Sequence, residues 1–207
     1  MVIDDDSPDG TAGLVKSLMP QFPNLKILER QSKTGLGDAY KDAMSRVLAD
    51  DEVRAIITMD ADGSHDPEYL PIFLEKISQY DIVIGSRYVK GGGTESWEPW
   101  RRNLSRFGNL YARTLTGLPL NDLTAGFMCL RREFLKKLDL SKISSTGYSF
   151  LIELKYYLVV AHRAKFFEVP IIFRSRFGGE SKISNQIIGE GVKTPLKFFW
   201  RRLWSRL

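Results

Sequence analysis

The chain has 207 residues, of which 43% are hydrophobic and 27% are charged, so it can bury a sizeable core as one unit. Its net charge of +5 suggests anionic partners, but the basic residues build no recognisable nucleic-acid-binding motif, so we expect no nucleic acid among them. No apolar run approaches the ~20 residues that span a bilayer, and we expect no signal peptide. The single Cys129 lies in an apolar segment, which predicts a buried packing thiol in a reducing compartment.

Strands and helices alternate along the sequence, which is the pattern of a mainly parallel sheet flanked by helices. The predicted strands are residues 2–3, 26–28, a segment around Ile56, 82–84, 127–130, 166–169 and 171–173. The predicted helices are residues 11–19, 37–48, 67–78, 101–115 and 149–160, followed by a terminal helix. We assign residues 1–185 to one α/β domain and residues 186–207 to a basic amphipathic helix.

The most informative segment is an apolar strand that ends in two carboxylates, Asp60 and Asp62. A strand places residues i and i+2 on the same side, so both carboxylates can converge at its carboxyl end, where α/β sheets bind ligands. This pattern indicates a site for Mg²⁺ or Mn²⁺, which takes further ligands from water and phosphate oxygens and so implies a phosphorylated substrate. The alternative is a helix cap at Asp62 or Asp66, a role that we assign to Asp66 because a proline and an acidic residue follow it.

The carboxyl-terminal residues 192–207 interleave lysines and arginines with tryptophans, phenylalanines and leucines. This pattern is typical of an amphipathic helix that lies on an anionic lipid surface, so we expect a membrane surface as a partner. The alternative is a helix that packs on its own domain and leaves its basic face in water.

Seven motifs occur in order and span nearly the whole chain: residues 2–11 (VIDDDSPDGT), 33–40 (KTGLGDAY), 60–62 (DAD), 85–88 (GSRY), 122–127 (DLTAGF), 147–150 (GYSF) and 176–182 (RFGGESK). Together they resemble the dolichol-phosphate mannosyltransferase branch of the family 2 glycosyltransferases. The resemblance implies a GT-A fold, in which residues 1–185 form the catalytic domain. It also implies inverting transfer of a sugar, typically mannose from the nucleotide sugar GDP-mannose, to dolichyl or another polyprenyl phosphate. The expected location is peripheral, at the cytoplasmic face of a membrane, beside an anchoring subunit or a transmembrane segment outside this chain.

The same resemblance assigns roles to individual residues. The donor-binding residues would be Asp5, Lys33, Asp60, Ala61, Asp62, Arg87, Arg176 and Lys182. The metal ligands would be Asp60, Asp62 and Ser64, and the catalytic set would be Asp62, Arg87 and Arg101, with Arg101 near the acceptor phosphate. Two simpler interpretations stay open, because residues 4–10 also form a turn-forming cluster and Arg101 beside Arg102 also fits a plain exposed pair.

A phosphate acceptor explains why no strong general base stands out in the sequence. A phosphate monoester has its second pKa at about 6, so it is largely dianionic near neutrality and arrives as an activated nucleophile. The protein must then supply positioning, neutralisation of the leaving diphosphate, and cations that bring two anionic substrates together. Asp122 fits either a base or a turn residue, and we favour the turn residue.

The chain departs from the family pattern at its start. Relatives begin with a further strand that carries a Pro-x-Tyr-Asn-Glu motif, so we expect the first strand to be missing and the domain to be N-terminally incomplete. Either the sequence is a fragment, or another arrangement covers the edge that residues 2–3 would present. Residues 57–64 also resemble the nucleophile loop of haloacid-dehalogenase-like phosphatases, although the further acidic pair of that class is not evident. A glucosyltransferase that uses UDP-glucose and a non-catalytic nucleotide-binding remnant also fit the sequence.

Overall fold

The computed structural model describes residues 1–175 and 185–204, apart from the side chains of residues 185–188. The strands are β1 (Val2–Asp4), β2 (Ile27–Glu29), β3 (Ala55–Thr58), β4 (Ile82–Ser86), β5 (Gly93–Thr94), β6 (Met128–Arg131), β7 (Phe166–Pro170) and β8 (Ile172–Phe173). The helices are α1 (Thr11–Leu18), α2 (Leu36–Leu48), α3 (Leu70–Lys76), α4 (Pro99–Thr116), α5 (Arg132–Leu135), α6 (Ser149–Lys155) and α7 (Asn185–Trp204). The predicted α/β class is confirmed, and the predicted elements are found within a few residues of their expected bounds.

The main sheet has four strands in the order β3-β6-β4-β7. Strands β3, β4 and β7 share one direction, whereas β6 runs antiparallel to both of its neighbours, so that Cys129 faces Ile57 on one side and Val83 on the other. Three of the four strands therefore share one direction, as a mainly parallel sheet predicts, but the position of β6 between β3 and β4 makes two of the three strand pairings antiparallel. The apolar run of β6 could not indicate its direction, because a strand buried on both faces has the same pattern in either orientation.

Two smaller parallel sheets accompany the main one. Strand β1 pairs with β2, so that Val2 faces Ile27, and β5 pairs with β8. Among the described strands, β1 pairs with β2 alone.

The core lies on both faces of the main sheet, as the alternation of side chains along β4 requires. Ile82 and Ile84 point to one face and join a cluster with Phe150 of α6 and Phe198 of α7. Val83 points to the other face and joins a cluster that includes Cys129. Cys129 is fully buried, as predicted, and burial raises the pKa of its thiol to about 12.

Two helices differ in detail from the prediction. The segment predicted as one helix from residue 67 begins with a 3₁₀ turn, Pro67–Tyr69, and the Asp66 side chain caps it by accepting a hydrogen bond from the Glu68 N–H at 3.0 Å. Helix α6 continues as a π-helix over Tyr156–Ala161. A hydrophobic pattern reports which side chains are buried but not the hydrogen-bond register, so neither change of helix type was predictable.

Candidate active site

The two predicted metal-binding carboxylates follow β3 in a loop that curls back on itself. The Asp62 carboxylate accepts hydrogen bonds from the Ser64 backbone N–H at 3.0 Å and from the Ser64 hydroxyl at 2.5 Å. Gly63 makes this tight turn with φ of 78°, a left-handed conformation that glycine adopts without strain. The Asp60 side chain is 42% exposed and Ala61 is exposed, so the loop meets solvent at the carboxyl end of the strand.

Ser64 and His65 support this loop from within the protein. Ser64 is fully buried, and its contact with Asp62 orients that carboxylate; its role as a metal ligand stays a prediction. His65 is buried against Phe127, with ring centroids 4.8 Å apart, and burial lowers its pKa, so its imidazole is neutral near pH 7. Its Nδ1 accepts a hydrogen bond from the Asp60 backbone N–H at 2.9 Å, which fixes the start of the loop.

Asp60 and Asp62 fit a hard divalent cation by the chemistry of their donors, because carboxylate oxygens are what Mg²⁺ and Mn²⁺ prefer. Within residues 1–175 and 185–204, no group of three or more histidine, cysteine, aspartate or glutamate side chains could hold a metal ion. Two carboxylates suit an ion whose other ligands are water and substrate phosphate oxygens, so the predicted Mg²⁺ or Mn²⁺ fits the residues present.

The predicted donor residues Asp5 and Lys33 lie in two segments that Arg30 joins. Arg30 Nη1 donates to the Asp5 carboxylate at 2.6 Å, and its Nη2 donates to the Thr34 hydroxyl at 2.7 Å. A third bond from Nε to Asp42, at 2.7 Å, anchors the guanidinium on helix α2. Lys33 itself is exposed beside this network. Arg30 was not predicted, because a single arginine after a strand gives no sequence signal for two partners in other segments.

The glycine-flanked turn after Lys33 packs tightly on the segment of residues 145–147. The Gly37 N–H donates to the Thr146 carbonyl at 2.7 Å. A Cβ atom at Gly35 would lie 2.7 Å from the Thr146 carbonyl oxygen, and one at Gly37 would lie 2.6 Å from that of Ser145. Both positions therefore require glycine. A Cβ atom at Gly37 would also lie 3.0 Å from that of Phe150, so the motif of residues 33–40 meets the motif of residues 147–150 here.

Arg87 lies directly after β4, as predicted, and forms a bidentate ion pair with Asp122. Its Nε and Nη2 donate to the two carboxylate oxygens at 2.7 and 2.8 Å, and Nη2 also donates to the Thr124 hydroxyl at 2.8 Å. Burial alone would raise the pKa of the fully buried Asp122, but the Arg87 charge holds it below its ordinary value. An ionised, paired carboxylate is a poor general base, so the structure favours Asp122 as the residue that orients Arg87.

Arg101 lies in the first turn of α4 and is half-buried rather than fully exposed. Its guanidinium carbon lies 4.4 Å from the ring centroid of Trp97, and that of Arg87 lies 5.9 Å from the same centroid. Trp97 also meets the Phe173 ring edge-on at 5.7 Å, and Phe173 in turn meets His65 at 5.3 Å. Both predicted catalytic arginines thus contact one aromatic cluster, which extends through Trp97 and Phe173 to His65 of the carboxylate loop. A lone tryptophan in a glycine-rich loop has no periodic pattern, so Trp97 was not predicted.

The chain after β8 also reaches the carboxylate loop. The Arg174 backbone N–H donates to the Ser64 carbonyl at 3.1 Å, and its side chain forms an ion pair with Asp66 at 2.9 Å. Arg176 and Lys182 lie outside the described residues, so their donor-binding role stays a prediction.

Comparison with known proteins identifies the family. The sequence profile described as glycosyl transferase family 2 matches residues 1–139, which is more than half of the chain. The chain belongs to glycosyl transferase family 2. This match confirms the family that the seven motifs indicate.

Two curated relatives cover most of the chain. It is 39% identical over 207 residues to an undecaprenyl-phosphate mannosyltransferase of Micrococcus luteus, covering 100% of this chain and 84% of the relative. It is 42% identical over 195 residues to a polyprenol monophosphomannose synthase of Mycolicibacterium smegmatis, covering 93% of this chain and 72% of the relative.

Solved structures of a distant relative support the GT-A fold of this family 2 glycosyltransferase. Glucosyl-3-phosphoglycerate synthase from Mycobacterium tuberculosis, in complex with Mn²⁺ and UDP-glucose, aligns with a TM-score of 0.62 at 15% identity, covering 97% of this chain and 67% of that one. Its complex with Mg²⁺ and UDP aligns with a TM-score of 0.61 at 16% identity, covering 94% and 67%. At this identity the likeness is one of fold.

Proposed function

We propose that this glycosyltransferase transfers mannose from GDP-mannose to a polyprenyl phosphate, with inversion at the anomeric carbon, to give polyprenyl phosphate mannose. The observation that carries the proposal is the position of Arg101, which lies in the first turn of α4 and stacks on Trp97 beside Arg87. Two guanidinium groups on one aromatic ring form a site for a second anionic substrate next to the carboxylate loop. The two mannosyltransferase relatives support mannose as the sugar and a polyprenyl phosphate as the acceptor.

On the donor side, Asp60 and Asp62 would hold a Mg²⁺ or Mn²⁺ ion, with Ser64 keeping the Asp62 carboxylate in place. Such an ion, when bound, would neutralise charge on the leaving diphosphate. Divalent ions accompany the nucleotide in structures of the same fold, which supports this assignment. Asp5 and Lys33 would contact the nucleoside end of the donor, because Arg30 holds their two segments together.

On the acceptor side, the protein needs no general base. The phosphate monoester is already largely dianionic near neutrality, and Asp122 is engaged with Arg87. Arg87 and Arg101 would overcome the repulsion between the acceptor phosphate and the donor diphosphate and hold the attacking oxygen near the sugar. The chain's own contribution is therefore charge and orientation rather than proton transfer.

A polyprenyl tail requires contact with lipid, and helices α4 and α7 offer a surface for it. The two helices contact each other, and the Tyr111 hydroxyl donates to the Val192 carbonyl at 3.1 Å. Their exposed apolar side chains are Trp100, Leu104, Phe107, Leu110, Val192, Leu196, Trp200, Leu203 and Trp204, which we call the helix-pair surface. Exposed basic residues accompany them, namely Arg106, Arg113, Lys193 and Arg201, whereas Lys197 forms an ion pair with the buried Glu153 at 3.1 Å. Aromatic side chains can enter a lipid interface while each basic residue gains about 1 kcal/mol from anionic head groups.

Helix α7 packs on its own domain along one side, as the alternative interpretation predicted, and the proposed membrane contact would use its other side. Its inner side packs on the domain, where Phe198 is fully buried against Tyr156 with ring centroids 4.1 Å apart. Its outer side carries the exposed Trp200. In the part of the chain that is described, no helix has the length and apolar character to cross a membrane. A peripheral position at the cytoplasmic face, beside an anchoring subunit or a transmembrane segment outside this chain, is part of the proposal.

A transfer assay with the purified chain tests the proposed function. The chain is incubated with polyprenyl phosphate, Mg²⁺ or Mn²⁺, and a panel of radiolabelled nucleotide sugars that includes GDP-mannose and UDP-glucose. We expect labelled lipid from GDP-mannose and none from an Asp62→Asn control. Preferential transfer from UDP-glucose would support the glucosyltransferase alternative instead, and release of inorganic phosphate from a phosphomonoester without sugar transfer would support a phosphatase.

A further inference from the structure

Lys155 is a fully buried lysine at the end of α6 to which the proposed reaction assigns no task. Its Nζ donates to the Leu123 carbonyl at 2.8 Å and to the Ala125 carbonyl at 2.6 Å. Lysines are almost never fully buried unless their charge is paired or their N–H donors form hydrogen bonds, so a buried lysine with two such bonds indicates a structural or functional role.

The two carbonyls lie on either side of Thr124, in the loop of residues 121–126. This loop carries both groups that hold Arg87, because the Thr124 hydroxyl and the Asp122 carboxylate accept its hydrogen bonds. Lys155 therefore holds the backbone on both sides of Thr124, whose hydroxyl accepts a hydrogen bond from Arg87. The loop has other contacts as well. At its ends, Glu168 accepts from the Asp122 N–H at 3.1 Å and the Gly126 carbonyl accepts from the Thr58 hydroxyl at 2.6 Å, and in its middle the Leu123 N–H donates to Asn109 Oδ1 at 2.8 Å.

The charge state of Lys155 is consistent with this task. Burial lowers its pKa to about 7, while Asp122 and Glu168 act to raise that pKa and Arg87 acts to lower it. A neutral amine has two N–H donors and an ammonium group has three, so either form can donate to both carbonyls. The loop thus keeps both hydrogen bonds from Lys155 across the neutral pH range.

We propose that Lys155 is a positioning residue for sugar transfer, which clamps the loop of residues 121–126 and so keeps the Arg87 guanidinium aimed at a substrate phosphate. The inference rests on the proposed function, in which Arg87 grips phosphate, and extends it to a residue that touches neither substrate. Removing the amine leaves the two central carbonyls without this donor and lets Thr124 and Asp122 shift. A misplacement of about 1 Å in a reacting group can lower a rate by up to ~100-fold.

The test compares Lys155→Met, which keeps most of the side-chain volume but removes the donors, with Leu154→Ala as a matched control. Leu154 is the fully buried neighbour on the same helix, so its truncation loosens the core without removing a hydrogen bond from the loop. We expect kcat to fall about tenfold in Lys155→Met, and the nucleotide-sugar Kd to weaken by a smaller factor, because Arg87 is only one of several predicted donor-binding residues. Leu154→Ala should keep kcat near the wild-type value at a temperature where all three proteins are folded. A wild-type kcat in Lys155→Met, or equal losses in both variants, would overturn the proposal.

Hydrogen exchange in the absence of substrates gives a second readout that does not depend on transfer. We expect amides of residues 121–126 to exchange faster in Lys155→Met than in the wild type, and to be unchanged in Leu154→Ala. If the wild-type chain transferred no sugar, the proposed function would fail, and this measurement would still decide whether Lys155 holds the loop. Unchanged exchange in Lys155→Met would overturn the clamp itself.

Discussion

Replacing Asp122 by asparagine should lower the free energy of unfolding by about 3–5 kcal/mol, because it removes one partner of a buried ion pair and leaves the other charge uncompensated. The geometry of the Arg87–Asp122 pair supports a loss of stability as large as that of other buried ion pairs. Both bonds between Arg87 and the carboxylate are short, at 2.7 and 2.8 Å, and the two side chains are only 10% and 0% exposed. The asparagine amide nearly matches the carboxylate in size, so the loss reports charge and hydrogen bonding rather than a cavity.

Thermal unfolding followed by circular dichroism measures this loss. For a chain of this size each kcal/mol shifts the Tm by about 2–4 °C, so Asp122→Asn should melt roughly 10 °C below the wild type. Asp51→Asn is the matched control, because Asp51 pairs with Arg132 but its side chain is 83% exposed. Water screens that pair, so the control should melt close to the wild type. A Tm of Asp122→Asn as high as that of the control would refute the assignment of a buried, energetically important pair.

The pH dependence of the same variant has a definite sign. The pKa of Asp122 is held below its ordinary value of 3.8, so the ion pair contributes its full stability above that pH and loses it as the pH falls through the depressed pKa. The wild type should therefore lose its advantage over Asp122→Asn in acid unfolding below about pH 4. A difference in unfolding free energy that stays constant from pH 7 down to strongly acidic pH would contradict the depressed pKa.

Three further predictions concern the substrates. Asp62→Asn should abolish transfer while the Tm stays near the wild-type value, since the carboxylate lies in a strand-end loop. A transfer assay and thermal unfolding followed by circular dichroism check this. Undiminished turnover of the wild type in the presence of a chelator would reject the metal site. Arg176→Ala and Lys182→Ala should each weaken donor binding by about 1.5–3 kcal/mol through loss of a charge-assisted contact, as measured by calorimetry. An unchanged donor affinity in both would remove these two residues from the site. The double variant Phe107→Ser with Trp200→Ser should reduce cosedimentation with anionic vesicles but leave donor binding intact, and undiminished cosedimentation would show that the helix-pair surface does not bind lipid.

Elements with a clear hydrophobic period were predictable from the sequence. Helix α2, for example, was predicted over residues 37–48 and is found over Leu36–Leu48, because its apolar residues repeat at helical spacing. The antiparallel direction of β6 and the π-helical end of α6 were not predictable. Both depend on hydrogen-bond partners, which the pattern of buried side chains does not specify.

The candidate site residues could be predicted where they are close in sequence, but contacts between residues distant in sequence could not. Asp60 and Asp62 could be identified as a candidate metal site because both follow one apolar strand. Arg87 and Asp122 were each identified as members of a motif, but their pairing joins residues 35 apart and appears only in the structure. Arg30 and Lys155 were missed for the same reason, since their partners Asp5 and Leu123 lie 25 and 32 residues away.

The central claim is that an oxygen of the acceptor phosphate attacks the sugar, and an isotope experiment tests it most directly. Polyprenyl phosphate labelled with ¹⁸O in its non-bridging phosphate oxygens is incubated with the chain and GDP-mannose, and the products are weighed by mass spectrometry. We expect a lipid monophosphate mannose that retains every label, together with unlabelled GDP. Formation of a lipid diphosphate, or release of free mannose with the lipid unchanged, would contradict it.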